Sequence, residues 1–257
     1  MFDLGANKGK NIPYYLSKAA TVVAVEANPV LAKALANQYQ KEIQSGRLII
    51  ENKCITGQNV DEKEIEFYIH RYHSGLSTLN VPKNNSYDYK KIRVIGCSFK
   101  DLITTYGAPD MVKIDLEGAD LNVLESIHQN PPFPDYISVE NCGPETLNNL
   151  LKFNKYSRFN IVSFYNFKSV YGYTGIDTAG PFGADIKSPW LSREKIIEVF
   201  DQMPDPWFDI HATSINFPLH MPDLNFYQKK INLLLWLKSI LPNPLKSLIK
   251  KIIGFSR

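Results

Sequence analysis

Only three cysteines occur in 257 residues, Cys54, Cys97 and Cys142, and no two form a C-x-x-C pair. That scarcity excludes a disulfide framework and a cysteine-ligated zinc site, leaving reduced thiols. Long apolar runs are also missing. The longest, residues 233–237, is far too short to cross a bilayer. No basic-then-apolar leader opens the chain, so the expected compartment is the cytoplasm. A third glycine is lacking at the first turn, where positions 5–9 read Gly-Ala-Asn-Lys-Gly rather than G-x-G-x-x-G. A pyrophosphate resting on a helix N-terminus is therefore disfavoured, and with it a nicotinamide dinucleotide. Nor do aromatics interleave with basic residues in a patch suited to nucleic acid.

Acid is absent from one end. Residues 224–257 hold seven basic side chains and no acidic one, whereas residues 1–223 hold 22 basic and all 26 acidic side chains. The chain reads as a mildly acidic body over residues 1–223 with a basic tail over residues 224–257. Within the tail, Leu245, Leu248, Ile249, Ile252 and Ile253 recur at helical spacing, while Lys246, Lys250 and Lys251 face elsewhere. An amphipathic basic helix of this kind suits peripheral contact with the inner face of a membrane, or docking on the body or a dimer partner.

What is present begins with Asp3-Leu4-Gly5-Ala6-Asn7-Lys8-Gly9, followed by Val22-Val23-Ala24-Val25-Glu26. A small-residue turn and then an apolar β-type run ending in an acid form half of a nucleotide-binding α/β unit. Gly5 and Gly9 allow close backbone approach, and Glu26 at a strand tip can accept hydrogen bonds from ribose hydroxyls. Asp3 suits a cofactor that presents an ammonium and a sulfonium, as S-adenosylmethionine does.

Apolar runs and helix-period segments then alternate as a doubly wound, mostly parallel sheet requires. Strands are expected over residues 21–26, 47–51, 65–70, 92–95, 111–115, 136–140, 158–164 and 209–216, with helices over 10–18, 29–43, 98–107, 121–127 and 145–153. Only residues 1–4 are available for a first strand that should be central, so either that strand is unusually short or an upstream segment completes it. Asp3, Glu26, Asn52, Asp115 and Glu140 all fall at carboxyl ends of strands, where loops face a ligand crevice.

The turn at residues 3–9, Val25-Glu26-Ala27-Asn28-Pro29, Ser74-Gly75-Leu76-Ser77-Thr78-Leu79 and Val112-Lys113-Ile114-Asp115-Leu116-Glu117-Gly118-Ala119-Asp120 together resemble the FkbM family of S-adenosylmethionine-dependent methyltransferases. The similarity runs in order from residue 2 to about residue 141, and the segment from Lys113 to Asp120 is its most specific part. It implies a class I methyltransferase fold and methyl transfer to a hydroxyl, commonly on sugars, glycans or polyketide-type products; the tail's helical spacing adds a C-terminal helical appendage. Family members usually carry more strand before the position of Asp3, and often Glu where Asp120 stands.

On this reading the cofactor is held by Asp3, Gly5, Asn7, Gly9, Glu26, Asn52 and Asp115. Methyl transfer to an alcohol also needs a base or a metal-bound alkoxide. Asp115, His73 and His211 are the candidate catalytic groups, with Glu117 a structural or cofactor-side partner and His70 a further histidine of the same loop. A divalent ion on Asp115, Glu140 and Asn141 is possible in the chemistry but not required. Residues 164–191 combine aromatic rings with Asn, Asp and glycine, which suits a sugar acceptor. A noncatalytic binding module of the same fold is the alternative.

Overall fold

The computed structural model describes residues 1–57, 63–82, 86–163, 181–186, 188–203 and 207–219. Most of the expected acceptor region, residues 164–180, and the whole basic tail, residues 224–257, lie outside them.

The elements in chain order are β1 (Phe2–Leu4), α1 (Ile12–Lys18), β2 (Val22–Val25), α2 (Pro29–Gln38), α3 (Gln40–Gln44), β3 (Leu48–Glu51), β4 (Cys54–Thr56), β5 (Glu64–His70), β6 (Tyr89–Ser98), α4 (Phe99–Tyr106), β7 (Met111–Ile114), α5 (Asp120–Gln129), β8 (Tyr136–Glu140), α6 (Pro144–Leu151), β9 (Arg158–Ser163), α7 (Arg193–Asp201) and β10 (Phe208–Thr213). A seven-stranded sheet runs β3-β2-β1-β7-β8-β10-β9, parallel except for β10, which is antiparallel to both neighbours. β1 has only three residues but pairs on both sides, Leu4 with Val25 and with Ile114.

Helix boundaries follow local chemistry. Asn28 caps α2 by accepting the Val30 amide, and Pro29 occupies the first turn, where its missing N–H costs nothing. Ser98 and Asp101 form a reciprocal capping box at the start of α4, which Gly107 ends at φ 81°. The single helix expected over residues 29–43 is broken at Tyr39, whose buried ring turns inward to donate its hydroxyl proton to the Gly9 carbonyl at 3.2 Å. The two short strands expected near residues 65–70 and 92–95 are longer than that. β5 and β6 form an antiparallel ribbon that, with β4, makes a separate three-stranded sheet.

Strand alternation sorts the sheet's two faces. Phe2, Leu4, Val23, Val25, Val112, Ile114, Ile137, Val139, Phe208, Ile210 and Ala212 pack with α4 to α7 in an apolar core layer. The opposite face, under α1 and α2, carries Val22, Ala24, Met111, Tyr136 and Val162, but also a polar row. Asp3, Lys113, Ser138, His211 and Asn160 are successive cross-strand partners over β1, β7, β8, β10 and β9, and all are buried. Burying polar groups is costly unless they bond to one another, so this row demands partners.

Candidate active site

The partners lead to the carboxyl edge of the sheet. Lys113, only 2 % exposed, places Nζ 2.9 Å from an Asp209 oxygen and 3.8 Å from Asp115. Burial alone would lower its pKa, but the Asp209 and Asp115 charges outweigh that and raise it, so the ammonium persists. Ser138 Oγ also donates to Asp209, at 3.2 Å. Burial raises Asp209 to about 6 even with Lys113 opposing the shift. Its other oxygen has no hydrogen-bond partner among the described residues, and neither does the buried hydroxyl of Tyr15.

Above Lys113, β7 ends in a turn whose shape is set by Asp120. That buried carboxylate accepts the amides of Leu116, at 2.9 Å, and Gly118, at 3.1 Å. Glu117 is held at φ 50°, a left-handed conformation uncommon outside glycine. The turn brings Asp115 and Glu117 together with Glu140 of β8, with one oxygen of each lying within 4.8 Å of the others. Burial, with Asp115 adding to it, raises Glu140 to about 9, and burial with Asp115 and Asp120 raises Glu117 to about 7. Crowded carboxylates share protons in this way. The same oxygens are close enough for one cation to bridge, with Glu117 beside the expected Asp115 and Glu140.

The loop between β5 and β6 straps this turn to the first one. Thr78 Oγ1 donates to the Glu117 carbonyl at 2.7 Å, and Asn80 Nδ2 to the Gly118 carbonyl at 3.2 Å. Gly75 lies beside Asn7, whose Nδ2 stands 3.6 Å from where a Cβ at that glycine would be.

On the β1 side, Gly5 adopts φ 95°, and a Cβ there would stand 1.9 Å from the Asp115 carbonyl oxygen. Gly5 thus lets the β1 and β7 exits touch. Gly9 faces protein too, since its Cβ would meet Leu35 at 2.3 Å. Glu26, 7 % exposed, accepts the Asn7 amide at 2.6 Å and the Asn28 amide at 2.7 Å. Burial raises its pKa, and the two amides pull it back. Each oxygen keeps a second lone pair for another donor. Asn52 Nδ2 donates to the carbonyls of Glu26 and Ala27, which fixes that turn rather than reaching across the crevice. Asp3 is buried between β2 and β7 and raised to about 7 by burial, with Lys113 opposing the shift and Asp115 and Glu26 adding to it.

The two candidate histidines differ in burial. His73 is exposed, with its ring 5.4 Å from that of His70. His211 is fully buried, with Nδ1 2.7 Å from the Tyr136 hydroxyl and Nε2 3.3 Å from Ser138 Oγ. Burial, then Lys113, lower its pKa to about 3, so it is neutral. The reason it misses the edge is strand direction. β10 is antiparallel, so its first turn reaches the carboxyl edge; Asp209 lies opposite Glu140, and His211 opposite Ser138, two residues deeper. Lys113 and Asp209 are buried charged residues beside the site to which sequence reading gave no role. Their signal was a charge in alternation within otherwise apolar strands, Met-Val-Lys-Ile and Phe-Asp-Ile-His-Ala-Thr.

The described part of the expected acceptor region packs away from this edge. The amide of Phe182 donates to the Tyr14 hydroxyl and that of Gly183 to Tyr136, the first residue of β8. Trp190 is buried and stacks on Phe217 at 4.7 Å. Trp207 is 40 % exposed.

A doubly wound sheet with a glycine turn at β1, an acid at the tip of β2 and an acidic turn after β7 defines a class I methyltransferase architecture. The sequence pattern of the Methyltransferase FkbM domain matches residues 3–158, and the chain belongs to this family. Among solved structures it is similar to methyltransferase FkbM from Methylobacillus flagellatus KT, at 15 % identity and TM-score 0.45 over 82 % of this chain. The chain spans 42 % of that longer protein. It is also similar to the 23S rRNA methyltransferase ErmE, at 11 % identity and TM-score 0.37, covering 97 % of this chain and 75 % of that one. A third is M. capricolum TrmK in complex with S-adenosyl-homocysteine, at 11 % and 0.35, covering 98 % and 87 %. No curated protein matches in sequence. Among the described residues no helix is long and apolar enough to cross a membrane.

Proposed function

We propose that the chain is an S-adenosylmethionine-dependent O-methyltransferase acting on a hydroxyl group of a sugar or glycan. The observation that carries this reading is the group of three carboxylates, Asp115, Glu117 and Glu140, at the sheet edge beside the Gly5 turn. Fit to the donor rests on Asn7 and Glu26. The Asn7 side-chain oxygen is buried with no hydrogen-bond partner among the described residues, and Glu26 retains lone pairs at the tip of β2. Glu26 would hold the ribose, and Asp3, Asn7 and Asp115 the methionine end. The donor, when bound, supplies a methyl group activated by a sulfonium.

The chain's own task is to orient an acceptor hydroxyl and take its proton. Glu117, at about 7, is matched to neutral pH, and Lys113 beneath Asp115 keeps a fixed positive charge under the cluster. Glu140 holds its proton at neutral pH and can donate a hydrogen bond to the acceptor. Calorimetric titration with S-adenosylmethionine, followed by radiolabelled methyl transfer to a panel of hydroxylated glycans, tests the reading. Binding without transfer to any hydroxyl would leave a cofactor-binding module instead.

A further inference from the structure

A cavity of about 440 Å3 opens beside the cofactor turn and is lined by Lys8, Asn28, His70, Arg71, Tyr72 and Lys90 among others. Its composition departs from that of the body, where acids outnumber bases. Three lining side chains are permanent cations, and no carboxylate lines the cavity. Among the described residues, Lys8 and Lys90 make no ion pair, and Arg71 spends only its Nε, on the Tyr87 carbonyl. The guanidinium's terminal nitrogens remain to act as a fork.

His70 adds an oriented donor. Its Nδ1 accepts the amides of Tyr72 and His73, at 3.2 and 3.1 Å, which assigns the ring proton to Nε2. The cavity also shares a wall with the donor site. Asn28 and the residue before Lys8 are the two whose amides bond Glu26.

We propose that this cavity binds a phosphoryl group of the acceptor, so that the hydroxyl to be methylated belongs to a phosphorylated compound. The inference rests on the methyltransferase reading above and adds the substrate class. Three cations and an N–H donor match a phosphate monoester, which carries about −1.5 to −2 at neutral pH, better than a lone carboxylate. Nothing in S-adenosylmethionine itself calls for that much positive charge at the ribose end.

The test is titration of the full-length protein with inorganic pyrophosphate, with and without saturating S-adenosylhomocysteine. Pyrophosphate should bind in both cases, and equimolar acetate should not displace it. The double variant Arg71→Glu with Lys90→Glu should weaken pyrophosphate binding by about tenfold or more, while S-adenosylhomocysteine affinity and melting temperature stay as in the parent. Lys33→Glu, on the exposed side of α2, should leave both affinities unchanged. Absence of pyrophosphate binding, an unaffected double variant, or displacement by acetate or S-adenosylhomocysteine would overturn the proposal. Failure to bind S-adenosylhomocysteine would instead overturn the donor assignment, and the pyrophosphate titration would still decide the cavity.

Discussion

Lys113 Nζ lies 2.9 Å from the carboxylate of Asp209, and both side chains are buried to within 2 % of full. The pair joins β7 to β10 across β8, and its members lie two residues apart in depth, so it ties the polar row to the carboxyl edge. Removing Asp209 leaves the buried Lys113 ammonium only the more distant Asp115 carboxylate, at 3.8 Å. Asp209→Ala is expected to cost about 3–5 kcal/mol in urea denaturation, and the paired change Lys113→Met with Asp209→Leu to recover most of that. A single variant as stable as the parent would contradict this role.

Gly5 and Gly46 make a matched comparison. Both have positive φ, but a Cβ at Gly5 meets the Asp115 carbonyl at 1.9 Å, whereas nothing lies within 4 Å at Gly46. Gly46→Ala should cost about 1 kcal/mol from backbone strain alone. Gly5→Ala should cost more than twice that by thermal denaturation, because β1 and β7 must part at the site. Equal losses would remove the close approach from the account.

Much of this framework was legible in advance. Val22–Val25, Met111–Ile114 and Tyr136–Glu140 are mainly apolar runs bounded by turn residues, so their place and carboxyl-end acids follow from pattern alone. Strand direction is not encoded locally, which is why the depth of His211 could not be read from its neighbours. The break at Tyr39 is likewise tertiary, made by a bond to Gly9 thirty residues away. Asp115 and Glu117 converge across a turn. The left-handed turn at Glu117 and Gly118, held by Asp120, brings them together.

Stability should fall as pH rises. Asp3, Glu117, Glu140 and Asp209 all hold their protons more tightly in the folded chain than carboxylates ordinarily do, chiefly through burial. The folded state therefore binds more protons than the unfolded one from the ordinary carboxylate range up to about pH 9, and loses stability across that window. Urea midpoints measured from pH 5.5 to 9 should decline, with Glu140→Gln flattening the upper part. A midpoint that climbs toward pH 9 would contradict the assignment.

Glu117→Gln should lower kcat by about 10²–10³ with little change in affinity for the donor, since a general base commonly contributes 10²–10⁴. In the parent, kcat/KM should rise through about pH 7 as Glu117 loses its proton, and the variant should lose that limb. A pH profile identical in the two proteins would move the base elsewhere in the cluster.

Exhaustive treatment with EDTA is expected to leave methyl transfer intact, because a proton on Glu140 already relieves the crowding of Asp115 and Glu117. Activity lost to the chelator and restored by Mg²⁺ would instead assign those oxygens to an ion.

The donor assignment is tested most directly by calorimetric titration of S-adenosylmethionine into the parent and into Glu26→Ala, with melting temperatures recorded beside it. Loss of a buried, charge-assisted ribose contact predicts at least about a tenfold weaker Kd in a variant that still folds. A folded Glu26→Ala protein that binds S-adenosylmethionine as tightly as the parent would contradict the account.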